Sequence, residues 1–324
     1  MDLDNYSNKT IYGIQNDAVK YTWIAYFLFV IVSSLIGDTL ILVASIKYRS
    51  IKLHSFIVAC IQHIAVCDLM VSITTVLPKM VSLFAGGWVL GKVPCAIGPF
   101  IMIYPITVSL LLICLMTTSK LFVLKFPTKS NSLTSKRGHM ACASVWFFAT
   151  NIPVILFLVD KNDIYFDYRV YNCQYGFSSD MWTWLRILLS LLNFIIPNLL
   201  VIASTVPLML YLLRARTVAR RSRGAMRWQG ILTTVITAAV YSISALPYAV
   251  YQLRENGSKD PNGFYLRLTS SLLFLNTVSN FYICLFTVPS FRLFVRTNMQ
   301  TYTSDLSSIK IGAQHGMYWL LWIE

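Results

Sequence analysis

Seven apolar stretches, each long enough to cross a lipid bilayer as a helix, follow one another along this chain. They run Tyr21–Ile46, Phe56–Phe84, Cys95–Leu124, Met140–Val159, Trp182–Leu213, Gly230–Leu253 and Tyr265–Val288. About 20 apolar residues suffice to span the hydrocarbon, and a helix satisfies its own backbone polar groups there. No connector is long enough to form a separate folded domain. The expectation is one membrane domain over residues 21–298, with a tail of 1–20 before it and 299–324 after it. A hydrophobic share of 56% against 12% charged residues lies far outside the range of soluble chains.

Charge predicts the orientation. Loops after spans one, three and five hold Lys47, Arg49, Lys52; Lys120, Lys125, Lys129, Lys136, Arg137; and Arg214, Arg216, Arg220, Arg221, Arg223, Arg227. Together with Arg292, Arg296 and Lys310 they face only Asp305 and Glu324. The opposite side mixes signs, with Asp2, Asp4, Asp17, Asp160, Asp163, Asp167, Asp180, Glu255 and Asp260 among its cations. Positive charge stays inside, so the N-terminus is expected outside the plasma membrane and the C-terminus in the cytoplasm. The net charge of +14 then reflects topology and attraction to anionic lipid. Nucleic acid is not an expected partner, because the cations sit in short juxtamembrane loops.

The outer side carries two further marks. Asn5-Tyr6-Ser7 and Asn8-Lys9-Thr10 are adjacent glycosylation acceptor triplets, and Asn256-Gly257-Ser258 is a third. Span one is expected to serve as its own insertion signal. Among the seven cysteines, Cys60, Cys67, Cys114, Cys142 and Cys284 fall inside spans. Cys95 and Cys173 fall on the oxidising side, where a bridge is chemically permitted and two free thiols are the alternative.

The motifs, in order, resemble those of rhodopsin-like G-protein-coupled receptors from Tyr21 to Arg296. Gly37-Asp38 stands where the family has Gly-Asn, and Ile64-Ala65-Val66-Cys67-Asp68 matches Leu-Ala-x-x-Asp. Trp88-Val89-Leu90-Gly91 precedes Cys95 as the family's Trp-x-x-Gly precedes its bridge cysteine. Trp146 in span four, Pro197 in span five and Pro247 in span six also match. Asn276 through Arg292 aligns without gaps to span seven and the short helix after it. The resemblance implies an all-α membrane protein, a seven-transmembrane helix bundle closed by a short amphipathic helix.

Departures fall at the family's switch positions. Asp-Arg-Tyr at the base of span three is Ser119-Lys120-Leu121, with Pro127 retained after it. Ala245 replaces the span-six Trp, and Asn-Pro-x-x-Tyr reads Asn280-Phe281-Tyr282-Ile283-Cys284. Lys120 keeps the charge of the usual Arg without its planar fork. Ser119 offers no carboxylate to hold that cation, and Arg227 in span six is no acid either. Weakened coupling and raised basal activity are the two opposed expectations.

Buried polar residues follow the same logic. Asp68 is an ionisable group near the membrane midplane, costly there and functional by default. It either stays neutral and hydrogen-bonded, or, as the resemblance implies, joins Ser109, Asn276 and Asn280 in holding a sodium ion through oxygen ligands. Asp38 replaces a family Asn beside that network. Two close carboxylates cannot both ionise cheaply, so they are expected to share one proton that competes with sodium. After span seven, Phe291, Phe294 and Val295 form an apolar stripe and Arg292 and Arg296 a basic one, as in a short interfacial helix. Thr297, Thr301, Thr303, Ser304, Ser307 and Ser308 are candidate phosphate acceptors.

The resemblance also narrows the ligand. Phe274 stands where a retinal pigment needs Lys, and Met102 where an amine receptor needs Asp. The stretch Ile164–Cys173 is rich in strand formers and resembles the hairpin lid of peptide receptors. Lys79, Arg186 and Arg267, near the outer ends of spans two, five and seven, either snorkel to the headgroups or recognise an acidic group on a ligand. No catalytic or cofactor motif is present: His54, His63, His139 and His315 lack metal-ligand spacing, and no phosphate-binding Gly loop exists. The expected function is binding of an extracellular ligand, a peptide by preference, with activation of a heterotrimeric G protein. The alternatives are a divergent chemosensory receptor for small molecules, a non-coupling scavenger, and, without the internal repeat that transporters show, a transporter or channel.

Overall fold

The structure is a computed structural model that describes residues 16–47, 55–126, 133–151, 164–175, 191–215, 222–254 and 263–298, with isolated positions between these segments. The acceptor asparagines Asn5, Asn8 and Asn256, the predicted Pro127 and Arg186, and the tail hydroxyls from Thr301 on lie outside the described residues, as does the side chain of Arg227.

Six helices among the described residues are long and apolar enough to cross a membrane. Span one is Asp17–Lys47, span three Lys92–Lys125, span six Ser222–Arg254 and span seven Phe264–Thr287. Span five is described as helix over Ile196–Ala215 and span four over Ser135–Ala149, the latter capped by Thr134 accepting from the Arg137 N–H. Most apolar spans here have lipid-facing side chains as hydrophobic as their core, so length and apolarity mark them better than amphipathic periodicity does.

Span two is built in three pieces: Ser55–Val71, a π-helical turn Ser72–Val76, and Leu77–Ala85. Pro78 sits at the start of the third piece, where a missing N–H disrupts the regular ladder. A second π-helical turn, Leu191–Ile195, precedes Pro197 in span five. Gly86, in the left-handed region at φ 73°, ends span two.

The helices pack in a ring: span one against two and seven, three against two, four, five and six, and six along seven. The main core runs through Phe27, Ile64, Val108, Ile113, Met116, Tyr241 and Val278, contributed by spans one, two, three, six and seven. Gly37 permits the closest approach. A Cβ there would lie 2.6 Å from Cβ and Cγ of Phe281, so the missing side chain lets span one seat against span seven.

At the outer end two strands break the all-helical pattern. β1 (Ile164–Asp167) and β2 (Asn172–Tyr175) pair antiparallel, with Phe166 opposite Cys173. At the inner end, the helix 289–298 buries Phe291 and Phe294 against Ile41, Ala44 and Cys284 and leaves Arg292 and Arg296 exposed, as the two-stripe pattern predicts. Arg292 donates to the carbonyls of Leu285 and Phe286 at 3.2 and 2.7 Å, satisfying the C-terminal end of span seven.

Candidate functional site

Polar side chains are concentrated along the bundle axis. Asp68, 1% exposed, accepts a 2.6 Å hydrogen bond from Nδ2 of Asn280, so the structure brings spans two and seven together where the motifs place them. Asp38, fully buried, accepts from the Ser34 hydroxyl at 2.6 Å, one helical turn earlier, and its other oxygen has no partner. The Asp38 charge is felt at Asp68, so the two carboxylates belong to one electrostatic unit.

Two more oxygens in this region are uncommitted. Oδ1 of Asn276 has no partner, and the Ser109 hydroxyl has only the Cys67 thiol beside it. Buried polar atoms left unsatisfied are costly, and a hard cation takes oxygen ligands. The residues present therefore fit a sodium ion. Asp68, Ser109, Asn276 and Asn280 would hold it, and the ion would supply a positive charge at the junction of three spans.

Of the expected switch positions, Pro197, Ala245 and Cys284 are buried. Ala245 is fully buried; one turn further in, Tyr241 is the largest fully buried side chain among the described residues and lies 3.5 Å from the Ile106 carbonyl. No sequence motif marks Tyr241. Pro247 lies inside the span-six helix and Pro197 inside that of span five. Phe281 fills the contact left by Gly37, and Cys284 packs with Ile41 and Phe291.

At the end of the bundle opposite the hairpin, Lys120 is 7% exposed and the Ser119 hydroxyl donates to its own helix, at the Met116 carbonyl. Leu121 packs on Leu208, Leu212 and Ile231 of spans five and six. Spans six and seven are joined by a buried hydroxyl pair, Thr233 and Thr287, at 2.8 Å. Neither threonine was legible as a site residue, since the pair exists only once the two helices meet.

The outer end is organised by the hairpin. The disulfide Cys95–Cys173, with Cα atoms 5.3 Å apart, ties β2 to the top of span three. Asp167 binds Arg169 through both carboxylate oxygens, at 2.9 to 3.1 Å, and caps the turn by accepting from the Arg169 N–H. Tyr171 completes the turn in the left-handed region at φ 53°, which a non-glycine residue adopts only under constraint. Its hydroxyl accepts from the Ile14 N–H and its ring lies under the guanidinium of Arg267.

Arg267 also donates to the Arg169 carbonyl at 2.9 Å, locking span seven to the hairpin. Met102 is half-buried in span three and receives the Asn172 side-chain amide on its sulfur at 3.6 Å. The snorkelling alternative fails for two of the outer cations. Lys79 is 3% and Arg267 6% exposed, both turned into the bundle instead of toward headgroups.

Histidines that lie far apart in sequence also meet. His63 and His139 are 3.2 Å apart, and His63 accepts from the Trp146 indole at 3.1 Å, which joins spans two and four. No group of three or more His, Cys, Asp or Glu side chains able to hold a metal occurs among the described residues.

A bundle of apolar helices with a bridged outer hairpin and a polar axis defines the class of seven-helix membrane receptors. The chain matches the 7 transmembrane receptor (rhodopsin family) over residues 37–290, and it belongs to that family. Among relatives, it is similar to neuropeptide Y receptor type 5 of Sus scrofa, 28% identical over 45% of this chain and 33% of that one. It is also similar to the QRFP-like peptide receptor of Branchiostoma floridae, 22% identical over 48% of this chain and 42% of that one. A third likeness, to melatonin receptor type 1A of Phodopus sungorus, is 23% over 68% of this chain and 62% of that one. The matches thus span a third to less than two thirds of the length of these relatives.

Proposed function

We propose that this chain is a plasma-membrane receptor, N-terminus outside, that binds an extracellular peptide at its outer end and activates a heterotrimeric G protein at its inner end. The observation that carries this reading is the buried Asp68–Asn280 bond that joins spans two and seven, in a bundle whose hairpin is tied to span three. An outer ligand that favours one packing of these helices shifts the populations seen at the inner face. The two relatives named as peptide receptors support the ligand class. A small-molecule ligand is the second reading, favoured by the likeness to a melatonin receptor over the greater share of the chain.

The deciding experiment expresses the full chain with reporters for each G-protein class and challenges it with peptide and small-molecule libraries. A peptide-dependent response supports the reading. A response only to small molecules transfers it to the second, and no response above that of a receptor with its inner face blocked removes coupling.

In the same reading, sodium at Asp68 favours the inactive packing and a proton shared with Asp38 opposes it. The Asp38→Asn receptor should therefore gain more thermal stability from sodium chloride, measured against choline chloride, than the parent does. Asp68→Asn should lose that gain. An Asp38→Asn sodium curve that overlays the parent's would remove the competition.

A further inference from the structure

Near the hairpin the bundle buries Lys79, a lysine with no carboxylate bound to it among the described residues. Lys79 lies on the last piece of span two, just after the π-helical turn Ser72–Val76. One extra residue in a turn rotates the following face by about 100°, and here Lys79 points inward. Its ammonium donates to the Ser270 hydroxyl at 3.2 Å and stands 5.3 and 5.2 Å from the ring centres of Phe27 and Phe274. Two of its three N–H donors are left over.

Among the described residues, no carboxylate lies within ion-pairing distance of Lys79. Asp167 of the hairpin binds Arg169 through both its oxygens. The Arg267 cation is felt at Lys79. Burying an ammonium is costly unless it is paired, and aromatic faces stabilise it only in part.

We propose that Lys79, flanked by Ser270 and Arg267, anchors the carboxylate of an extracellular ligand, with an apolar group of that ligand beside Phe27 and Phe274. The inference rests on the reading of the outer end as the ligand site. A peptide with a free, apolar C-terminal residue carries that chemistry, and so does a small alkyl or aryl acid. A carboxylate and an amide would both accept a hydrogen bond from the ammonium, but only a free carboxylate would also bring the opposite charge.

The test uses the full receptor in lipid nanodiscs and three probes: N-acetyl-leucyl-phenylalanine, its C-terminal amide, and octanoate. Binding is read by thermal shift and by NMR of isotope-labelled lysine ε-methylene groups. The acid dipeptide should bind and perturb one buried lysine signal, and the amide should bind at least roughly tenfold more weakly, the size of one charge-assisted hydrogen bond.

Lys79→Met keeps the apolar stem and should fold without ligand while losing the preference for acid over amide. Ser270→Ala should lose part of it, and serves as the second variant should Lys79→Met fail to fold. Preference for octanoate over the dipeptide upholds the anion anchor and sinks the peptide reading. Equal binding of acid and amide, no binding of either acid, or full preference in a folded Lys79→Met receptor overturns the proposal.

Discussion

Cys95→Ser should strip most of the receptor from the cell surface and lower its melting temperature more than any other single change at the outer end. The bridge closes a loop with a sequence separation of 78. In the chain-entropy treatment a loop of that size is worth about 4 to 5 kcal/mol, within the usual cost of about 2 to 5 kcal/mol for losing a native disulfide. Other ties between hairpin and bundle include the Arg267 bond to the Arg169 carbonyl, the weak Asn172 contact to Met102, and the packing of Ile164 and Phe166 beside Phe100 and Trp88. A hydrogen bond of that kind contributes about 1 kcal/mol, well below the bridge.

Cys173→Ser should match Cys95→Ser, and the double variant should be no worse than either. Surface labelling of an N-terminal tag, with melting of the solubilised protein, checks all three. A single variant that melts like the parent would show that the hairpin is held by other contacts.

Gly37→Val should come second, through overpacking. The first added carbon would already sit 2.6 Å from Phe281 Cβ, an atom fixed to the backbone of span seven, so the helices must part. Inserted carbon in a tight core costs about 1 to 3 kcal/mol, more when backbone shifts. Parting spans one and seven would also draw Asp38 away from the Asp68–Asn280 pair, and under the proposed proton competition the stability gained from sodium should rise. Phe281→Ala should rescue much of the loss, with a coupling between neighbours of roughly 0.5 to 3 kcal/mol. Losses that simply add in the double variant would mean that the two residues do not share one contact.

These two variants differ in how far their cause was readable beforehand. The bridge was open to reasoning from compartment and topology, because two cysteines on the oxidising side have few partners. The Gly37–Phe281 contact was not. The substitutions for Pro and Tyr in span seven were visible as departures, but what Phe281 touches depends on how two helices distant in sequence are seated. The same holds for Tyr241, for the Thr233–Thr287 pair and for the Asp167–Arg169–Arg267 clip, none of which any local motif signals.

Residues in a row carried the membrane spans, the outer hairpin and the short helix after span seven, because the bilayer's demands on apolarity and backbone hydrogen bonding act along the chain. Lys79 illustrates what a row of residues leaves open. Its neighbours in sequence allow it to reach for headgroups, yet a single π-helical turn sets its azimuth and turns it against Phe27, Phe274 and Ser270. Rotational phase and the identity of the facing helix arise only when the bundle closes, so the surroundings of Lys79 had to be read from the folded chain.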